Sequence, residues 1–166
     1  MADAITHPKP GTGKGCNRII ADVFAVKLPQ LRTRLREAYR LIKAKAPNAK
    51  IIVLGYPAIF EDSYRSTFCA SVGPLTRGAR SDLRKAAVQL DGEIGAIAAE
   101  FGLRFVDPRD KFKDHRICGP STDWIHGLTR GRNGEPTISP TTFHPNRDGQ
   151  RGFADVIAAA NQDIFK

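Results

Sequence analysis

The chain has 166 residues, a length that supports one domain with a buried core. Its 41% hydrophobic content is that of an ordinary globular protein. No apolar run reaches the roughly 20 residues of a membrane-spanning helix, and residues 1–8 have neither the basic start nor the apolar middle of a secretory signal, so as written the chain is expected to stay in the cytosol. The net charge is +9, from 26 Lys and Arg against 17 Asp and Glu, which permits a polyanionic partner without requiring one. The densest basic group, Arg32, Arg34, Arg36, Arg40, Lys43 and Lys45, falls on the polar positions of a predicted helix. No aromatic residues interleave with it to stack bases, so it reads as a solvated helix face rather than a nucleic-acid site.

Residues 1–15 are rich in proline and glycine and lack periodicity, which predicts an irregular N-terminal segment; residues 16–166 read as one continuous domain portion. Pro10-Gly-Thr-Gly-Lys-Gly15 resembles a phosphate-binding loop but fails where that chemistry needs it. Gly15 follows Lys14 in place of a magnesium-holding Ser or Thr, Pro8 replaces the first glycine, and no strand precedes. Asn17 can cap a helix over residues 17–27, and Pro29 fits the first turn of its continuation to Ala46. Leu28, Leu31, Leu35, Ala38, Tyr39 and Ile42 recur at helical spacing and predict a buried face. Ile51-Ile-Val-Leu-Gly-Tyr56 is a short unbroken apolar run, a strand covered on both faces in a parallel sheet. After a loop to Gly73, Pro74 can open a helix reaching Phe101, with the stripe Leu83, Ala87, Leu90, Ile94, Ile97 and Phe101, and with Gly102 to stop it. Leu103-Arg-Phe-Val106 is the next strand, closing a βαβ unit with parallel strands. Residues 107–140 have little periodicity but contain Phe112, Cys118, Trp124 and Ile125, which predicts a packed functional loop. A final helix runs over residues 148–164, with Asp148 as its cap and Phe153, Val156, Ile157, Ala160 and Ile164 on its apolar side.

Two strands that both read as interior cannot supply each other's outer neighbours. The pattern is therefore that of the second half of a larger α/β sheet with an open edge.

The polar residues that could carry chemistry are few. His144 lies in Thr-Phe-His-Pro-Asn, where Pro145 pushes it toward an extended conformation and a helix braces the loop; a histidine held this way suits a general base near neutral pH. The cysteines Cys16, Cys69 and Cys118 lack zinc or redox spacing and fit one bridge plus a leftover, or three free thiols. Cys69 and Cys118 each follow a predicted strand and are the expected pair, closing a loop that contributes roughly 4 kcal/mol on a chain-entropy argument, and only in an oxidising compartment. His115 and His126 flank Cys118 without a common zinc spacing, so no metal and no cofactor is expected. His7 falls in the irregular start, and Trp124 reads as a packing residue rather than a substrate platform. Ser63, Ser66, Ser71, Ser81, Ser121 and Ser139 include none at a strand-to-helix elbow in a glycine setting.

Ala46-Pro-Asn-Ala-Lys-Ile-Ile-Val-Leu-Gly-Tyr-Pro57, then Phe105-Val-Asp107, then His115-Arg-Ile-Cys118 with Trp124 and Gly127, then Phe143-His-Pro-Asn146 and Gly149-Gln150, form an ordered series. It resembles the SGNH (GDSL) esterases and lipases, closest to their secreted, disulfide-containing actinobacterial branch. The resemblance runs from about Cys16 to the C-terminus. It implies a flavodoxin-like three-layer fold of about five parallel strands and hydrolysis of carboxylic esters by a serine, without metal. It assigns His144 as the general base and Cys118 to a disulfide. The family's Gly-Asp-Ser and Gly-x-Asn-Asp blocks do not occur in this chain. The aspartate that often stands three residues before the histidine is Thr141 here, whose backbone carbonyl is expected to orient His144 instead. The resemblance also gives Cys16 a partner upstream of Met1, and it implies secretion or a cell-envelope location through a leader at the missing N-terminus. The expectation is an incomplete C-terminal part of an ester hydrolase, inactive alone and acting on a small-molecule or lipid ester when whole. The alternatives are a non-catalytic basic binding module and a half-enzyme completed by a separate N-terminal chain.

Overall fold

The computed structural model of the protein describes residues 21–62, 69–72 and 75–164. The glycine-rich run at 10–15, His7, Cys16, the Asn17 cap, Ser63, Ser66 and Pro74 lie outside the described residues. A π-helical stretch (Val23–Lys27) leads into α1 (Leu28–Lys45). There follow β1 (Ile52–Leu54), a 3-10 turn (Ala70–Val72), α2 (Arg77–Glu100), β2 (Arg104–Val106), the short strands β3 (Thr129–Arg130) and β4 (Pro136–Thr137), and α3 (Arg147–Ile164).

Pro29 explains the π-helical stretch. It has no N–H to donate, and its ring crowds the carbonyl four residues before it. The Leu28 N–H reaches back instead to the Val23 oxygen, the longer step of a π-turn. Leu28 and Tyr39 are buried as expected, whereas Ala38 and Ile42 are exposed. The reason is that α1 rests on α2 and a narrow sheet, which cannot cover the whole predicted face. The basic group on α1 is not simply solvated either. Arg32 forks onto Glu93, Arg36 pairs with Glu100 through two 2.7 Å hydrogen bonds, and Lys43 donates to the Phe101 carbonyl at 2.7 Å, all on or next to α2.

α2 starts one turn later than its apolar pattern suggested, because Thr76 caps it by accepting the Ala79 N–H at 3.2 Å. Its stripe is buried at Leu83, Ala87, Ile94 and Ile97, with Leu90 and Phe101 partly exposed. β1 and β2 pair in parallel, Ile52 with Arg104, Val53 with Phe105 and Leu54 with Val106. The Ile51 carbonyl accepts from Arg104 at 3.3 Å and the Gly55 N–H donates to Val106 at 2.9 Å, so the backbone groups of Ile52 and Leu54 point to the opposite edge. Among the described residues no strand pairs with that edge. β1 is accordingly half-buried along its length rather than covered on both faces. At its end, Gly55 is required by close approach: a Cβ there would meet the Phe105 ring at 2.7 Å and the Asp91 carboxylate at 2.8 Å.

The core is divided. A smaller cluster of Tyr39, Ile97, Ala98 and Leu103 joins α1, α2 and the start of β2. The larger one contains Phe60, Val72, Leu83, Phe112, Ile117 and Ile125, mostly loop residues. The segment 107–140 is therefore core, as its apolar residues predicted, and it also carries the β3–β4 hairpin, which its sequence was not expected to form. The hairpin pairs Thr129 with Thr137 and Arg130 with Pro136, and Gly134 sits at φ +81° in its turn. The dipeptide Asn133-Gly134 was the available signal.

Candidate active site

The segments leaving the C-terminal ends of β1 and β2 meet and build the floor beneath His144. Ile117 donates to Ile59 and accepts from Glu61, both at 2.9 Å, giving a parallel bridge between Phe60 and Ile117. One residue on, Cys118 is bonded to Cys69 with Cα atoms 5.8 Å apart, the pair expected from sequence. Cys118 has a left-handed backbone (φ +70°), and Asp123 accepts its N–H. Burial pushes the Asp123 carboxyl above its ordinary range, and that hydrogen bond opposes the shift.

His144 lies in a turn locked against residues 124–126. Its N–H donates to the Thr141 carbonyl at 3.0 Å, closing a four-residue turn with Phe143 at φ +64° in the third position. Phe143 donates to the His126 carbonyl at 2.8 Å, and His126 donates back to the His144 carbonyl at 2.9 Å. Two residues thus face one, a β-bulge whose left-handed first position is usually glycine. A side chain in that conformation costs about 1–2 kcal/mol. The Phe143 ring meets Phe60 edge-on, centroids 5.3 Å apart, an arrangement that contributes about 0.5–1.5 kcal/mol beyond area burial. Beyond the bulge Ile125 bridges Pro145, and Asn146 donates to the Trp124 carbonyl at 2.9 Å.

The imidazole itself is exposed, and its Nδ1 lies 3.2 Å from the Thr142 carbonyl. Of the two neighbouring carbonyls, that of Thr141, the expected orienting group, takes the His144 backbone N–H, and that of Thr142 faces the ring. A carbonyl can only accept, so in the neutral ring a hydrogen bond here places the proton on Nδ1 and leaves Nε2 as the acceptor. Thr142 is itself buried; its hydroxyl accepts the Ser139 N–H at 2.9 Å and lies 3.2 Å from the Ser139 hydroxyl. Ser139 is thus engaged with Thr141 and Thr142, and among the described residues no serine hydroxyl is hydrogen-bonded to the His144 ring.

Asn146, not Asp148, caps α3. Its Oδ1 accepts the N–H groups of Asp148 and Gly149, both at 3.0 Å, while its Nδ2 donates to the Asp123 carbonyl at 2.7 Å. One side chain therefore starts the helix and ties it to the loop beneath the bulge. Asp148 sits in the first turn, where its charge faces the positive end of the helix dipole. Gly149 allows the approach: a Cβ there would press on the Trp124 carbonyl and stand 3.0 Å from Pro145.

Trp124 packs edge-on against Phe112, and His115 stacks flat on it at 3.8 Å while its Nδ1 faces the Thr122 carbonyl at 2.9 Å. His115 is thereby fixed against Trp124. Among the described residues no group of three His, Cys, Asp or Glu side chains could hold a metal ion. The sequence reading also passed over Asp91. Fully buried on α2, it accepts the Tyr56 N–H with both oxygens at 3.0 and 3.1 Å and stands 3.8 Å from Arg109, whose main partner is Asp107. Burial raises the Asp91 carboxyl above its usual range, whereas the Arg109 hydrogen bond holds that of Asp107 below it. A lone carboxylate in the apolar pattern of α2 was the only available signal.

Comparison with known proteins matches the chain to a family. Residues 10–151 fit the GDSL-like lipase/acylhydrolase family. Lipase 1 of Streptomyces coelicolor is 30% identical over 152 residues, covering 92% of this chain and 52% of that protein. A lipase of Streptomyces rimosus is 28% identical over 161 residues, covering 96% and 55%. The chain therefore spans about half the length of the relatives it matches. The crystal structure of the extracellular lipase from S. rimosus superposes with a TM-score of 0.79 at 26% identity, covering 96% of this chain and 63% of that one. That of phospholipase A1 from Streptomyces albidoflavus NA297 gives 0.70 at 29%, covering 88% and 56%. With an α/β fold of the SGNH hydrolase type, seen here as a two-stranded parallel sheet and a partial core, this chain belongs to the GDSL-like lipase/acylhydrolase family.

Proposed function

We propose that this chain supplies the histidine side of a serine ester hydrolase, and that the nucleophile and oxyanion donors come from sequence outside these 166 residues. The observation that carries the reading is the His144 ring: exposed, set on a locked turn, and held with Nδ1 on the Thr142 carbonyl. In that tautomer Nε2 removes the proton from a serine hydroxyl as its oxygen attacks the ester carbonyl. The imidazolium, steadied by the carbonyl behind it, returns the proton to the departing alcohol, and a water repeats the cycle to free the acid. Oxyanion donors stabilise the tetrahedral intermediates. A backbone carbonyl fixes the ring as the third member of a triad does, without adding a charge. No step calls for a metal or cofactor, and the substrate is a small-molecule or lipid ester.

Two features support a wider context. The Cys69–Cys118 bond persists in an oxidising compartment, which favours export of the protein. Among the described residues no strand pairs with the outer edge of β1, which favours completion of the sheet by an N-terminal half that a separate chain could provide. The engagement of Arg32 and Arg36 with α2 leaves less free charge for the alternative role of a basic binding module.

The purified chain should show no turnover of p-nitrophenyl butyrate above buffer. Supplying a polypeptide that carries the family's Gly-Asp-Ser and Gly-x-Asn-Asp blocks should produce turnover, and His144→Ala should lower it by at least about a hundredfold. Stoichiometric labelling of one serine of this chain alone by a phosphonate would sink the proposal.

A further inference from the structure

We infer that Phe143 is the positioning residue for His144: its left-handed backbone opposite His126, secured by its ring against Phe60, turns the imidazole so that Nδ1 meets the Thr142 carbonyl. The catalytic meaning of this role rests on the reading of His144 as the base; the geometry does not. The φ angle of Phe143 sets the rotation of the 142–143 peptide against the 143–144 peptide. In an extended strand successive carbonyls point to opposite sides, and a side chain does not reach the carbonyl two residues before it. At φ +64° the chain reverses within the turn, and that carbonyl comes to the side of the His144 ring. The same reversal lets His126 bond to Phe143 on one side and His144 on the other, so the bulge and the ring contact arise together.

A glycine would adopt this backbone without cost, yet a phenylalanine occupies the position. Its ring accounts for that. Phe60 is 3% exposed and its backbone neighbours are bonded to Ile117, beside the Cys69–Cys118 bridge. The ring contact therefore ties the His144 turn to the larger core cluster and holds a conformation that the residue would leave if unattached. Packing against Phe60 and left-handed strain at Phe143 act as one device whose output is the tautomer of the neighbouring histidine.

The test needs no ester turnover. In the 15N-histidine-labelled chain, long-range proton–nitrogen correlation of neutral His144, assigned by its loss in His144→Gln, distinguishes Nδ1–H from Nε2–H. The unsubstituted protein should hold the Nδ1–H form. Phe143→Gly, Phe143→Asn and Phe143→Tyr should retain it, the first two because they tolerate the left-handed region and the third because it keeps the ring. Phe143→Val should shift the ratio toward Nε2–H by roughly fivefold to thirtyfold. Phe143→Ala should shift it in the same direction, and it replaces the valine variant if that one fails to fold. Phe60→Leu should shift the ratio in the parent chain but not in the Phe143→Gly background. Equal ratios in the Gly and Ala variants, or a Phe60→Leu effect that survives Phe143→Gly, would overturn the inference. A correct tautomer in a completed but inactive enzyme would instead count against the acyl-transfer reading alone.

Discussion

Asp91 and Asp107 both approach the Arg109 guanidinium and respond to pH with opposite signs. Arg109 holds the Asp107 carboxyl below its ordinary range, so the stability Asp107 contributes is present above its unfolded pKa and is lost as pH falls through the lowered folded value. Asp91 is raised above 3.8 chiefly by burial. The folded state therefore holds its proton more tightly than the unfolded chain, and the associated stability is full below 3.8 and declines as pH rises through the raised value. Asp91→Asn keeps an acceptor for the Tyr56 N–H and removes the charge. In urea titrations at acid and neutral pH, the variant should gain on the parent as pH rises. A variant that instead loses on the parent as pH rises would mean that Arg109, rather than burial, governs this carboxyl, and an unchanging difference would mean that the two cancel. His144 and the pairing of Cys69 with Cys118 were legible as residues, because a Phe-His-Pro-Asn run and a cysteine after each strand are local signals. Asp91 and the Thr142 carbonyl were not. Their roles depend on which backbone groups arrive opposite them, and sequence spacing does not encode that.

The elements follow their local chemistry where neighbours allow. α3 begins at Arg147 because Asn146 caps it, and the same amide is spent on the Asp123 carbonyl. Asn146→Ala should therefore cost about 1–3 kcal/mol in chemical denaturation, from a lost cap and a lost buried hydrogen bond. Asp148→Ala should cost less, about 0.3–1 kcal/mol, through the helix dipole. Equal costs would restore Asp148 as the cap. Sequence alone favoured Asp148 because both residues are good caps, two positions apart; the choice was made by the antiparallel bridge at Ile125 and Pro145, which fixes where the helix may start. The π-turn before Pro29 is the reverse case, a departure dictated by the proline ring itself. The β3–β4 hairpin was overlooked because two-residue strands are too short to show alternation, although Asn133-Gly134 marked its turn.

At the scale of the whole molecule, the larger core lies beneath loops and the sheet is narrow, so the Cys69–Cys118 bond, with a sequence separation of 49, fastens the part that carries His144. Reduction should lower unfolding free energy by about 2–4 kcal/mol and release the Phe60–Phe143 region before α1 and α2 separate, as hydrogen exchange of the Ile117 and Phe143 amides would record. Uniform loss of protection across both clusters would mean that the bridge supports the fold evenly. Local sequence was enough for the α/β class, the parallel pairing of two short apolar runs, the helices between and after them, and the placing of His144 in a turn stiffened by Pro145. Each of these rests on periodicity, turn chemistry or propensity, which act over a few residues. Folding settled how completely those elements are covered, which residue caps α3, that Arg32 and Arg36 fasten to α2, and that the Thr142 carbonyl faces the His144 ring. Those outcomes depend on groups brought together from distant parts of the chain, where burial and hydrogen-bond geometry outweigh local preference.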